Sequence, residues 1–205
     1  MLNRAYTATE WITRIVYINL LWISFSFLGL VFLGFFPATI SMFTVIRKWL
    51  MGDRDIPVFR TFWKTYQSEF IRGNVLGVII WLVAGLLVLD LVFIKFTGSS
   101  YTSLVQIPVY MLILVAGLTT IYIFPVYVHY NLKLNQIIKN SFFLMLINPL
   151  ENTVMIASLV AIFFVVKFIP GFGFFFAGSL SATVIMATCL LTFKKADNKK
   201  ANLST

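Results

Sequence analysis

Long apolar runs alternate with short polar segments along the whole chain. Five runs are long enough to cross about 30 Å of hydrocarbon as α-helices, and they lie at about 15–36, 74–96, 104–128, 151–168 and 172–193. Residues 170–173, Pro-Gly-Phe-Gly, predict a tight turn that separates the last two runs. The pattern therefore predicts an all-α membrane protein in which residues 1–205 form a single transmembrane domain.

The segment 38–73, between the first two runs, is too polar to cross a bilayer. It predicts two amphipathic helices, 39–50 and 58–72. In the first, the apolar face is Met42, Phe43, Ile46, Trp49 and Leu50, and the polar face is Ser41, Thr44 and Lys48. In the second, aromatic residues recur at helical spacing opposite Arg60 and Lys64: Phe59, Phe62, Trp63, Tyr66 and Phe70. Such helices are typical of the bilayer interface.

A further interfacial helix is expected between spans three and four. Three roles remain open for these helices: a membrane-surface anchor, docking to the cytoplasmic parts of another protein, or recognition of lipid headgroups. A weak internal repeat accompanies them, because Phe36-Pro37 and Phe124-Pro125 each precede an amphipathic stretch and a further span. Two spans per unit would make the repeats parallel.

The distribution of charge predicts an orientation. The chain is 60% hydrophobic and 11% charged, with mean hydropathy +0.93 and net charge +9, which excludes a basic soluble domain for nucleic acid. Five spans would place twelve Lys and Arg residues on the face of 37–73, 129–150 and the tail, and four on the other: Arg4, Arg14, Lys95 and Lys167. The positive-inside rule then puts the N-terminus outside and the C-terminus in the cytoplasm.

Few polar residues lie within the spans. Asp90 is the one carboxylate well inside a span, and either structural pairing with Lys95 or a role in a solute pathway would explain it. Asn19 is expected to bond between helices, and the glycines 73 and 77 to allow close helix packing. No motif of a nucleotide hydrolase, metalloprotease or serine hydrolase is present. We therefore expect no enzyme activity, no catalytic residue, no metal and no cofactor.

The stretch from Pro37 to Asn74 resembles the YesL family of bacterial membrane proteins. The resemblance rests on Phe35-Phe36-Pro37-Ala38-Thr39, Arg47-Lys48-Trp49-Leu50, Phe62-Trp63 and residues 70–74. It implies a multi-pass protein of the bacterial plasma membrane, encoded beside carbohydrate ABC importers and sensor kinases. The family has no established catalytic residues to carry over.

The resemblance favours an accessory or assembly subunit of a carbohydrate ABC importer, acting by protein contact. Its partners would be the lipid bilayer and ABC permease subunits or a membrane sensor kinase. The residues expected to contact a partner are Pro37, Arg47, Lys48, Trp49, Phe62, Trp63, Tyr66 and Arg72. Charge reversal at Arg47 and Lys48 is then expected to weaken assembly. The alternative is a small solute transporter or channel that works as a homo-oligomer and uses Asp90.

Overall fold

The computed structural model describes residues 2–97 and 102–203, and the regular secondary structure of this part of the chain is all α-helix. The eight helices, in chain order, are α1 (Leu2–Leu28), α2 (Phe32–Leu50), α3 (Val58–Ser68), α4 (Phe70–Thr97), α5 (Thr102–His129), α6 (Leu134–Ile147), α7 (Pro149–Phe168) and α8 (Pro170–Leu203). Five of them are long and apolar enough to cross a membrane: α1, α4, α5, α7 and α8.

The predicted first span, 15–36, is not one helix. α1 ends at Leu28, and α2 begins at Phe32 after a tight turn in which Leu30 and Val31 have positive φ angles of 57° and 64°. The apolar pattern continues through this turn, so hydropathy alone does not reveal it. The chain then runs back along α1, because Trp22 contacts Phe35 and its Nε1 donates a 3.0 Å hydrogen bond to the Thr39 hydroxyl.

α2 is the central helix of the bundle, and this corrects the predicted interfacial helix at 39–50. It packs against α1, α3, α4, α5 and α8. Its own buried residues lie on every side of the helix. The predicted polar face does not point to solvent. Ser41 is fully buried and donates to the Pro37 carbonyl, and Thr44 donates to the Ile40 carbonyl. Hydroxyls bonded within their own helix let these residues pack as small apolar side chains.

Close contacts join α4 to α2. Gly73 lies against Pro37 and Ile40, and Gly77 lies under the ring of Phe36. The predicted close packing at these glycines is therefore found within the chain. Further along, Phe36 and Phe43 stack on Phe124 of α5, which places α2 between the two helices.

Polar side chains connect other helices. Asn19 of α1 donates to the Phe174 carbonyl (2.8 Å) and accepts from the Ser179 backbone N–H (2.9 Å), so it bonds α8 as predicted. Tyr122 of α5 donates to Asn152 of α7, and Asn152 donates in turn to the Met145 carbonyl of α6. These bonds fix the relative positions of five helices, α1 with α8 and α5 with α6 and α7, inside an otherwise apolar core.

The order of elements supports the predicted repeat in a modified form. Pro37 and Pro125 lie inside α2 and α5, and each of these helices is followed by a short helix and then a long apolar one. The matching units are therefore α2–α3–α4 and α5–α6–α7, with α2 rather than α1 as the counterpart of α5.

Candidate interaction surface at the basic end of the bundle

The end of the bundle that carries Arg14, Arg47, Arg54 and Arg72 is called the basic end here. One group of contacts joins the start of α1 to the α2–α3 loop. Arg14 donates a 2.7 Å hydrogen bond to the Arg54 carbonyl and forms an ion pair with Glu10. The guanidinium groups of Arg54 and Arg14 lie over the rings of Trp11 and Trp49, which contact each other edge to face. Alternating cations and aromatic rings hold this junction together.

A second group of contacts joins α2 to α5 and α8. Arg47 Nε donates to His129 Nδ1 at 3.3 Å, and the His129 ring packs on Tyr130 and Phe193. Tyr130 reaches Asp197, and burial together with that carboxylate raises the pKa of Tyr130 to about 12. Arg47 is therefore occupied by contacts within the fold.

A third group of contacts surrounds Arg72 at the start of α4. Arg72 donates to the Leu132 carbonyl in the α5–α6 connection, and its guanidinium lies 5.1 Å from the Tyr127 ring centroid. The Tyr127 hydroxyl donates to Glu69. The guanidinium therefore contacts the face of the Tyr127 ring, and the carboxylate accepts from the hydroxyl of the same residue.

α3 divides its aromatic stripe between the core and the surface. Phe62 is fully buried and Tyr66 nearly so, and both pack against Phe25 of α1. Tyr66 donates to the Phe25 carbonyl, and burial raises the pKa of its phenol. Phe59 and Trp63 remain 52% and 40% exposed. The predicted helix 58–72 ends earlier than expected, because α3 stops at Ser68 and α4 begins at Phe70.

Phe59, Arg60, Trp63 and Lys64 form one exposed patch on α3, called the α3 surface below. Of the eight residues predicted to contact a partner, four are buried within the chain: Pro37, Trp49, Phe62 and Tyr66. Arg47 and Arg72 are half-buried and bonded inside the fold, Lys48 is half-buried, and Trp63 is exposed. The spacing of aromatic residues in the sequence predicted helix α3. Nothing in the sequence predicted that residues of α1 would cover part of it.

Asp90 lies outside the core. It is exposed on α4, so the structure does not place it in an interior polar pathway. The predicted pairing with Lys95 lies outside the described residues, because the Lys95 side chain is not among them.

Both ends of the chain approach the basic end, and this corrects the predicted separation of the termini. The start of α1 meets the α2–α3 loop through Arg14 and Arg54. The last turns of α8 meet the same end through Phe193 and through the ion pair of Lys195 with Glu151. The α1–α2 hairpin returns the chain to the face where it began, which five separate spans do not do.

The described side chains of the basic end are held in hydrogen bonds, ion pairs and ring contacts with one another. Within the described part of the chain, no group of three or more His, Cys, Asp or Glu residues is arranged to hold a metal ion. Cys189, the one cysteine in the sequence, is buried in α8. The five long apolar helices and the apolar exterior of α4 and α7 define the class of the protein, a multi-pass helical membrane protein with an aromatic and basic end.

Comparisons with known proteins assign the family. Residues 15–91 match the family described as "Protein of unknown function, DUF624". The chain is 33% identical to Bacillus subtilis YesL over 93% of this chain and 90% of that protein. It is 35% identical to YteU over 87% and 80%, and 34% identical to YesV over 94% and 92%, of the same organism. The chain therefore belongs to the YesL family. No solved structure matches it significantly.

Proposed function

We propose that this protein is an accessory or assembly subunit of a carbohydrate ABC importer in the bacterial plasma membrane, acting by protein contact and not by catalysis. The family resemblance gives the association with importers and sensor kinases. The structural observation that carries a contact role is the α3 surface, where two large aromatic side chains stay exposed beside two cations. Aromatic residues and arginine are enriched where proteins dock.

The filled interior favours a contact role over solute transport. The centre of the bundle is occupied by large, fully buried side chains, among them Trp49, Tyr122 and Phe193. The polar groups Asn19 and Tyr122 are held in bonds between helices. Asp90, the residue on which the transporter alternative depended, faces outward. A conducting pathway through this chain would need these contacts to separate.

The structure changes the choice of residues for the first test. Arg47 bonds His129, so its charge reversal would disturb the fold as well as a docking surface. Arg60 and Lys64 are exposed on α3 and carry the same charge. Under this proposal, Arg60→Glu with Lys64→Glu should weaken assembly while leaving membrane insertion intact.

The experiment is a mild-detergent pull-down of the tagged protein from its native cells grown on complex glycans, with mass spectrometry of the recovered proteins. Recovery of ABC permease subunits in near-equal amounts, at least tenfold reduced by the double reversal on α3, supports the proposal. Lys133→Glu with Lys139→Glu, on exposed positions of the α5–α6 region, is the matched control. Recovery of permeases at equal levels from all variants would remove the α3 surface as the docking site.

Recovery of a sensor kinase in place of permeases would redirect the proposal to the sensor. Recovery of neither partner from cells that express the importer would overturn it. Flux of sugar through liposomes that hold this protein alone would establish the transporter alternative instead.

A further inference from the structure

We propose that a second copy of this chain docks its α7 against the groove between α4 and α5, with Lys167 of one copy facing Asp90 of the other. This interface is independent of the importer partnership proposed above. Four observations support it: the groove, the exposed stripe on α7, the complementary charges and their matching depths.

The groove is a large apolar concavity between α4 and α5, with a volume of about 590 Å³. Large aliphatic side chains of both helices form most of its lining, with the small residues Ala84, Ala116 and Gly117 among them. A Cβ added at Gly117 would meet nothing within 4 Å, so there is open space beside this part of α5. Small residues on membrane helices allow another helix to approach closely. Asp90 lies on α4 between the lining residues Leu87 and Leu91, one residue before the second of them.

α7 presents a continuous apolar stripe with a cation at one end. The helix packs mainly against α8, and large side chains remain exposed along its other side. Ile156, Val160, Phe163 and Lys167 follow one another at spacings of four, three and four residues, so they share one face. Phe163 is 63% exposed. Bulky apolar side chains along one helix and an apolar groove that includes small residues between two others are complementary.

The two charges are complementary and lie at similar depth. Asp90 follows Arg72 by 18 residues along α4, a rise of about 27 Å from the basic end. Lys167 follows Glu151 by 16 residues along α7, a rise of about 24 Å. Glu151 is itself fixed at the basic end by Lys195. Copies inserted side by side in the same orientation therefore bring the carboxylate and the ammonium to within a few ångströms of the same level.

A single copy does not satisfy this pair internally. Of the residues that the structure describes, the ion pairs are Arg14 with Glu10 and Lys195 with Glu151, so Asp90 and Lys167 do not meet within one chain. An opposite charge on a neighbouring helix lowers the cost of a charge in a membrane-spanning segment. Each copy carries both the stripe on α7 and the groove between α4 and α5. Repeated contacts of this kind can therefore close a symmetric oligomer.

The test is a charge swap. Two differently tagged copies are co-expressed, extracted in polymer nanodiscs, and scored for recovery of one tag with the other. Wild-type copies should co-purify, and Asp90→Lys or Lys167→Asp should each lower recovery at least tenfold. Both substitutions in every copy should restore recovery to within about twofold of wild type, because the pair is re-formed with reversed charges.

The control is Leu89→Lys, a charge added next to Asp90 at a position that is 65% exposed, and it should leave recovery unchanged. Thermal unfolding in detergent identifies variants that fail to fold. If Asp90→Lys is one of them, Asp90→Asn and Lys167→Gln carry the test and should each lower recovery severalfold. Three results would each overturn the proposal. They are a wild-type protein that is monomeric, single variants that co-purify as well as wild type, and a double variant whose recovery stays as low as that of the single variants.

Discussion

Asn19 shows how one polar residue fixes two helices. Its side-chain amide both donates to and accepts from the backbone of α8, and the residue is 1% exposed. A side-chain amide that fills both hydrogen-bonding roles inside an apolar core is satisfied only at one relative position of the helices. The polarity of Asn19 is visible in the sequence, but its partners are backbone atoms 155 and 160 residues away, so only the structure identifies them.

Asn19→Ala is expected to lower the free energy of unfolding by about 1–2 kcal/mol, because the two hydrogen bonds between α1 and α8 are lost. Reversible unfolding in mixed micelles measures the change. Ser24→Ala, at an exposed position of the same helix, is the control and should stay within about 0.5 kcal/mol of wild type. Equal effects of the two substitutions would contradict the assigned role of Asn19.

At the scale of elements, α2 is the helix that sequence patterns describe least well. Its pattern of apolar and polar residues suggested an amphipathic surface helix, yet it lies at the centre of the bundle. Serine and threonine lower its hydropathy without exposing it, because their hydroxyls bond to the preceding turn. α4, α5, α7 and α8 were predicted within a few residues over their apolar runs, since lipid-facing helices carry an uninterrupted apolar signal.

The approach of α4 to α2 yields a matched pair of substitutions. A Cβ at Gly77 would collide with the Phe36 ring, whereas a Cβ at Gly85, two turns further along α4, would meet nothing within 4 Å. Gly77→Ala should therefore lower the free energy of unfolding by about 1–3 kcal/mol through overpacking. Gly85→Ala should leave it unchanged or raise it by up to about 1 kcal/mol through helix propensity. Thermal unfolding of both variants in one detergent makes the comparison, and equal shifts would refute this packing.

The turn between α1 and α2 stores backbone strain. The Phe32 N–H donates to the Leu30 carbonyl at 2.7 Å, which closes a γ-turn around Val31. A β-branched residue at a φ of 64° is sterically disfavoured. The strain persists because the packing of α1 against α2 holds the two helices side by side.

Val31→Gly is expected to raise the free energy of unfolding by about 1 kcal/mol, because glycine adopts positive φ without a steric penalty. Val78→Gly serves as the control. Val78 is exposed in the middle of α4, where the same change should lower the free energy by about 1 kcal/mol. Chemical unfolding of both variants should thus give shifts of opposite sign, and a destabilising Val31→Gly would argue against the γ-turn.

At the scale of the whole molecule, the α1–α2 hairpin decides the topology. Five independent spans require the two termini to lie on opposite faces of the membrane. The hairpin brings the start of α1 to the end that α5 and α8 also reach, through Arg14 with Arg54 and Arg47 with His129. A turn hidden inside a continuous apolar run is what the hydropathy pattern missed, and it brings the start of α1 to the same end of the bundle as the end of α8.

The positive-inside rule supports the revised arrangement more strongly than the original one. When the N-terminal segment joins the basic end, Lys95 and Lys167 are the only two of the sixteen Lys and Arg residues assigned to the other face. We therefore expect both termini in the cytoplasm. Green fluorescent protein should fluoresce when fused to either terminus, and alkaline phosphatase inserted after Ser99, between α4 and α5, should be active. A dark N-terminal fusion that is inserted and expressed normally would restore the five-span topology and exclude the hairpin, since Arg14 and Arg54 would then lie on opposite sides of the bilayer.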